Sequence, residues 1–195
     1  QRALAKLEGI EIKQIAPSVQ TVYIKPPPKR SIPSLVKYAD MSFNTELETL
    51  KLISAEAVRQ DKVHKVIIMV EMGDLREGVL KENLVSFYEN ALHLPNIELV
   101  GLGTNFNCMY GVMPSPDKLI QLSLYSQVVE LKFGNKISIV SGGTTVTLPL
   151  LIKKQIPERI NHFRIGEGLF FGKDLVTGKT IKGMKDDVIS FSAEI

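Results

Sequence analysis

Ile137-Ser138-Ile139-Val140-Ser141-Gly142-Gly143-Thr144-Thr145-Val146-Thr147-Leu148 is the stretch that decides the fold. An apolar alternating run, Ile137, Ile139 and Val140 among it, ends in Ser141-Gly142-Gly143. Thr144 and Thr145 then lead into Leu148-Pro149-Leu150-Leu151. The pattern predicts a buried strand, a glycine turn and the start of a helix. Glycines let a backbone approach a ligand closely. Exposed N–H groups at a helix start, with hydroxyls beside them, suit a phosphate. On this stretch alone, a turn that only reverses the chain is the commoner meaning.

Outward from this stretch, strand-like and helix-like segments alternate. Residues 2–9 carry a short helical pattern closing near Gly9, and Val19 to Ile24 is a β-branched run stopped by Pro26-Pro27-Pro28. Ile32 to Tyr38 reads as a short helix and Asp40 to Phe43 as a strand. Thr45 with Glu48 matches a capping box, followed by an apolar face of Leu47, Leu50, Ile53 and Ala57. Val63 to Val70 reads as a strand buried on both sides. Leu84, Phe87 and Ala91 mark the next helix, and Ile97 to Leu102 the next strand. Ser115 before Pro116 signals another helix start, with Leu124, Val128 and Leu131 as its packing face and Gly134 as its stop. A last strand runs from Ile160 to Phe163.

Sequential strands joined by helical crossovers imply an α/β fold with a parallel sheet. Charged, amide or glycine residues cluster after successive strand ends. In a TIM (β/α)8 barrel those ends form one face and carry the active site. A doubly wound sheet would show an early glycine fingerprint, which is missing. About six strands are visible against the eight of a closed barrel. The expectation is a partial barrel, roughly strands 3–8, truncated at both ends. The run from Ile189 to Ile195 reads as a strand cut in mid-run.

The chain has 195 residues, 44% hydrophobic and 23% charged, with a net charge of +3, as in an ordinary globular domain. Lysines and glutamates are interspersed, so nothing points to nucleic acid. No apolar run reaches membrane-spanning length, which points to no membrane partner. Cys108 is the single cysteine, which excludes an internal disulfide and fits a reducing, cytoplasmic setting.

Among residues able to carry chemistry, Arg164 is the best single candidate. It ends a strand in the loop next after Ser141-Gly142-Gly143, with Gly166 two residues on. The loops after the last two barrel strands often hold a phosphate together. The plainer alternative is a structural salt bridge to Glu167 or Glu71. Arg76 reads either as a surface partner of Asp74 or Glu77, or as an arginine reaching a carboxylate, phenolate or phosphate. Asn105 and Asn107 sit at a strand end, either as ligands or as turn-makers. His64, His93 and His162 have no metal-ligand spacing. His64 and His162 fall at strand starts, on the face away from the site, and all three read as structural. Cys108 has no clear histidine partner, and Tyr110 is placed either at the pocket mouth or in ordinary packing.

Taken together, four segments resemble the alanine racemase-like family of pyridoxal-phosphate (PLP) barrels, nearest to ornithine and related amino-acid racemases. They are His64-Lys65-Val66-Ile67-Ile68-Met69-Val70-Glu71-Met72-Gly73-Asp74-Leu75-Arg76-Glu77-Gly78, Gly101-Leu102-Gly103-Thr104-Asn105-Phe106, Ser141-Gly142-Gly143-Thr144-Thr145 and Asn161-His162-Phe163-Arg164-Ile165-Gly166-Glu167. The likeness runs from about Val22 to the C-terminus, and it implies that residues 1–185 are the central and late part of a PLP-binding (β/α)8 barrel and residues 186–195 the start of a C-terminal β domain, mostly absent. It implies pyridoxal 5'-phosphate as cofactor, an amino-acid substrate and a homodimer. It places Thr144 and Thr145 on the cofactor phosphate, within a loop that includes Ser141 and Gly143, and adds Gly166 and Glu167 through backbone N–H groups. Arg164 would face the pyridine nitrogen, Asn105 would lie against the ring, and Arg76 would approach the phenolic oxygen or the substrate carboxylate. Relatives usually carry Asn-Ser where Thr144-Thr145 stand, and many alanine racemases carry a histidine and a lysine where Asn105 and Met69 stand.

The family's Schiff-base lysine ends the first barrel strand, which would precede Gln1. Lys25 matches the third strand instead. The expectation is therefore a PLP-dependent amino-acid racemase, exchanging a proton at Cα, present as a fragment that is itself inactive. Alternatives are a non-catalytic PLP-binding protein on the same barrel, a PLP-dependent decarboxylase or aldolase, and an unrelated phosphate-binding barrel enzyme.

Overall fold

The computed structural model describes residues 14–16, 18–107 and 111–190. Six strands form one sheet: β1 (Val22–Tyr23), β2 (Met41–Asn44), β3 (His64–Met69), β4 (Ile97–Gly103), β5 (Ile139–Thr144) and β6 (His162–Arg164). They are hydrogen-bonded in chain order, and every pairing is parallel. A doubly wound sheet must reverse its order at a switch point. Here the order never reverses, so the sheet curls as a partial TIM barrel. Six helices connect or follow the strands: α1 (Ile32–Tyr38), α2 (Leu47–Arg59), α3 (Leu84–Leu92), α4 (Pro116–Phe133), α5 (Leu148–Ile152) and α6 (Glu167–Phe171).

The strand alternation separates two apolar layers. Val66, Ile68, Leu99, Leu102 and Val140 face the helices, where Leu35, Leu50, Ile53, Leu84, Leu119 and Leu122 meet them. Met41, Phe43, Ile67, Met69 and Val100 form the other layer, built from strand residues alone. That second layer is the inside of the barrel, filled by side chains as barrel interiors are. Gly103 is part of its fit. A Cβ there would lie 2.8 Å from Phe43 Cε1 and 3.3 Å from Met69 Sδ.

Helix ends follow their sequence signals unevenly. Ser115 caps α4 by accepting the Lys118 N–H at 3.3 Å, and Gly134 ends it in the left-handed region at φ 66°. The capping box at Thr45 does not form: the helix starts one residue later, with Glu46 at the cap position and no side-chain cap bond. The packing face expected on α4 is also wrong. Leu124, Val128 and Leu131 are exposed, and the buried face is Leu119, Leu122, Ser123, Ser126 and Val129. The helix carries an apolar stripe on each side, and periodicity alone does not say which one meets the sheet. The strand-like run of residues 19–24 shortens to Val22–Tyr23, because Asp40 and Thr21 tie off its start through side-chain bonds. Ile189 and Ser190 are not in a strand, and residues 191–195 lie outside the described residues. So do the helical pattern of residues 2–9, Cys108 and Tyr110.

His64, at the amino-terminal end of β3, is buried, with Nε2 2.8 Å from Ser42 Oγ. Burial holds its pKa down at about 4. Between the ordinary value of 6.5 and about 4, the unfolded chain binds a proton at this ring that the folded chain does not. Stability therefore falls as pH drops through that window, by about 2 kcal/mol between pH 7.5 and pH 5. Urea denaturation of His64→Gln should show a smaller loss between the same two pH values; an equal loss would contradict this account.

Candidate functional site

The carboxyl-terminal ends of β3 to β6 converge on one rim, and the register of β5 and β6 sets its geometry. Ser141 lies opposite His162, and Thr144 lies opposite Arg164. Between those pairs β5 takes three steps and β6 takes two, so β5 carries an extra residue at Gly142-Gly143. The glycines are thus a bulge inside the strand rather than the turn after it. A Cβ on Gly142 would lie 2.4 Å from Ile160 Cγ2, and Gly143 has φ +107° with Thr147 Oγ1 2.8 Å from its Cβ position. Thr145–Thr147 then form a single 3-10 turn before α5. Thr145 Oγ1 accepts the Gly168 N–H at 3.1 Å, which brings the first turn of α6, starting at Gly166-Glu167, beside Thr144-Thr145. Nothing lies within 4 Å of a Cβ position on Gly166, so the rim is open there.

Arg164 points inward from β6. Its Nη2 donates to Thr104 O at 2.8 Å and to Asn105 Oδ1 at 3.3 Å. Its guanidinium carbon sits 5.0 Å from the centre of the Phe43 ring, within cation–π range. Asn105 is buried and passes the contact on: Nδ2 donates to Asp74 Oδ2 at 3.0 Å. Arg76 Nε lies 3.8 Å from that same Asp74 oxygen, and its Nη2 is 2.5 Å from Glu77 Oε1. One connected chain, Arg164–Asn105–Asp74–Arg76, therefore spans the rim from β6 to the loop after β3. The loop itself is tied down by Lys118 Nζ, which donates to Met72 O at 2.9 Å, and by Gly73 N–H donating to the Glu71 carboxylate. Asn107 is the turn-maker of the two asparagines, with φ 51°.

His162 is not on the far face. The strand β6 has only three residues, so His162 shares the inner side with Arg164. Its Nδ1 is 2.9 Å from Ser141 Oγ, and its ring centre is 6.0 Å from that of Phe43. Burial, and then the neighbouring Arg164 charge, lower its pKa. The two-residue spacing from Arg164 was the signal for this placement. Asp74, the buried acceptor at the middle of the chain of contacts, is signalled in the sequence only as a partner of Arg76, and its bond to Asn105 has no such signal.

Among the described residues, no group of three or more His, Cys, Asp or Glu side chains could hold a metal, and no helix is long and apolar enough to cross a membrane. Two clefts of about 480 and 590 Å³ lie elsewhere, around Lys37, Tyr38 and Lys62, near the amino-terminal ends of β2 and β3.

A parallel barrel whose polar side chains converge at the carboxyl-terminal ends of its strands is of the kind that binds and reacts small molecules at that rim. The chain belongs to the alanine racemase N-terminal domain family, which its residues 3–174 match. It is 36% identical over 193 residues to an ornithine racemase of Acetoanaerobium sticklandii, covering 98% of this chain and 53% of that protein. It is 33% identical over 160 residues to a lysine racemase of Thermotoga maritima, covering 82% of this chain and 44% of that protein. The chain thus spans about half the length of the curated relatives it matches. In fold it is similar to PipY of Synechococcus elongatus, solved with PLP bound, at 14% identity and a TM-score of 0.70, covering 85% of this chain and 78% of that one. An alanine racemase of Clostridium difficile in complex with cycloserine superposes with a TM-score of 0.68 at 20% identity, over 88% of this chain and 48% of that one.

Removing the Asp74 carboxylate takes away the acceptor for Asn105 and the anion beside Arg76. Asp74→Ala is expected to cost about 1–3 kcal/mol of stability, read by thermal or urea denaturation. The exposed substitution Leu131→Ala should change it by less than about 0.5 kcal/mol. Equal effects from both would show that the rim network contributes nothing.

Proposed function

We propose that the whole protein is a PLP-dependent amino-acid racemase acting on a basic amino acid of the ornithine or lysine type. The substrate class follows its two curated relatives, an ornithine racemase and a lysine racemase. The single observation that carries the reading is the register placing Thr144 opposite Arg164, with Gly166-Glu167 drawn to the threonines by the Thr145–Gly168 bond. That arrangement sets hydroxyl and N–H donors beside an inward guanidinium. The donor set suits a ligand that offers a phosphate, a phenolic oxygen and a ring nitrogen, all of them acceptors.

In this reading Thr144, Thr145 and the backbone N–H groups of Gly166 and Glu167 hold the phosphate, within the loop that includes Ser141 and Gly143. Arg164 donates to the ring nitrogen. Because a guanidinium keeps its protons, it leaves that nitrogen without one. When bound, the cofactor supplies a ring that accepts negative charge from Cα of the substrate. Arg164 moderates that acceptance, which favours returning a proton to Cα over wider rearrangement. Asn105 lies against the ring and is kept in orientation by Asp74 and Arg164. Arg76 holds the substrate carboxylate or the phenolic oxygen while Asp74 and Glu77 fix its direction. A homodimer and a cytoplasmic setting complete the proposal.

The test is racemisation by the whole protein, followed as loss of circular dichroism from L-ornithine and from L-lysine. Turnover of at least one is expected, and Arg164→Ala should lower kcat/KM by about 10- to 100-fold, the value of a charged hydrogen bond. PLP binding without turnover of any amino acid would favour a non-catalytic PLP-binding protein, and a released amine or aldehyde would favour a decarboxylase or aldolase.

A further inference from the structure

The inside of the barrel holds one titratable ring that the proposed reaction does not use. His162 is half-buried below Arg164 on the same side of β6, anchored by the hydrogen bond to Ser141 across the β5–β6 pairing. Phe43 is shared by the two side chains, with the His162 ring centre 6.0 Å and the Arg164 guanidinium 5.0 Å from its centroid. Phe43 is itself buried and confined over Gly103, where a Cβ would lie 2.8 Å from its Cε1. The guanidinium and the imidazole are therefore both neighbours of one confined aromatic ring. We propose that His162 is a positioning residue: as an uncharged imidazole anchored on Ser141, it lets the Arg164 guanidinium lie across Phe43 and reach Thr104 and Asn105, and gaining a proton loosens that hold.

The physical basis is the charge count around Phe43. One cation on the aromatic face is favourable. A second cation on the same confined ring repels the first in surroundings that screen charge poorly. Ser141 from β5 and Phe43 from β2 pack against the imidazole and carry no charge. Arg164, on its own strand, is the charged group that acts on it, and together with burial it favours the neutral form. Ser141 binds a neutral ring whichever nitrogen carries the proton, since its hydroxyl both donates and accepts. The effect on Arg164 belongs to this chain alone; only its consequence for the cofactor rests on the proposed function.

The experiment is nitrogen-15 NMR of the whole protein, following the His162 ring and the Arg164 Nε–H together from about pH 8 to pH 5. The Arg164 signal is expected to move with the same midpoint as His162, below the ordinary histidine value, both with and without PLP. His162→Gln, neutral at every pH, should abolish that movement. His162→Lys, whose ordinary pKa lies well above this range, should place the Arg164 signal near its low-pH position already at about pH 8. The PLP dissociation constant of the wild type should rise by about tenfold more over this range than that of His162→Gln. An Arg164 signal that ignores the His162 transition, or moves alike in His162→Gln, would overturn the proposal. Should His162→Lys fail to fold, the wild-type and His162→Gln curves decide. Failure of PLP to bind any of these proteins would count against the proposed function and leave the Arg164 result to stand or fall by itself.

Discussion

The structure depends on the pairing of β5 with β6, which sets Thr144 beside Arg164. β6 has only three residues and would not hold its place by propensity alone. The Gly142-Gly143 bulge lets β5 add a residue without losing the ladder; Ile160 and Phe163 fill the space a side chain at Gly142 would occupy, and Thr147 and Phe106 that at Gly143. The consequence is chemical as well as geometric. The extra residue brings Thr144 level with Arg164, and Thr145 then captures the start of α6.

Around that pairing the rim is built as a single connected network. Arg164 holds Thr104 and Asn105, Asn105 holds Asp74, and Asp74 faces Arg76. Arg164 on β6 is joined in this way to the end of β4, and the end of β4 to the loop after β3. The loops therefore share one geometry, which is what a site for a rigid aromatic ligand needs. Below the rim, Phe43, Met69, Ser141 and His162 fill the interior, so the site has a floor made of packed side chains.

Much of this architecture was legible in the sequence because it is periodic. The β-branched runs at residues 63–70 and 97–102 found β3 and β4, and Ser115-Pro116 with Gly134 bracketed α4. Periodicity failed where two answers share one pattern. On α4 both stripes are apolar, and only the sheet's position selects Leu119, Leu122 and Val129 over Leu124, Val128 and Leu131. Gly142-Gly143 reads equally as a turn or a bulge until the neighbouring strand is known. Within the site, Arg164, Thr144 and Thr145 announced themselves at strand ends. His162 does start a strand, but β6 has only three residues, so that start lies just below the rim on the same side as Arg164. Asp74 reads from the sequence only as a partner of Arg76, because its bond to Asn105 exists only once β3 and β4 are side by side.

The most direct measurement is a map of amide and arginine NMR shifts in the whole protein as PLP is added. The account predicts the largest changes at Thr144, Thr145, Gly166 and Glu167 and at the Arg164 Nε–H, with little change on α1 and α2. Changes gathered instead around Lys37, Tyr38 and Lys62, at the opposite end of the strands, would contradict it.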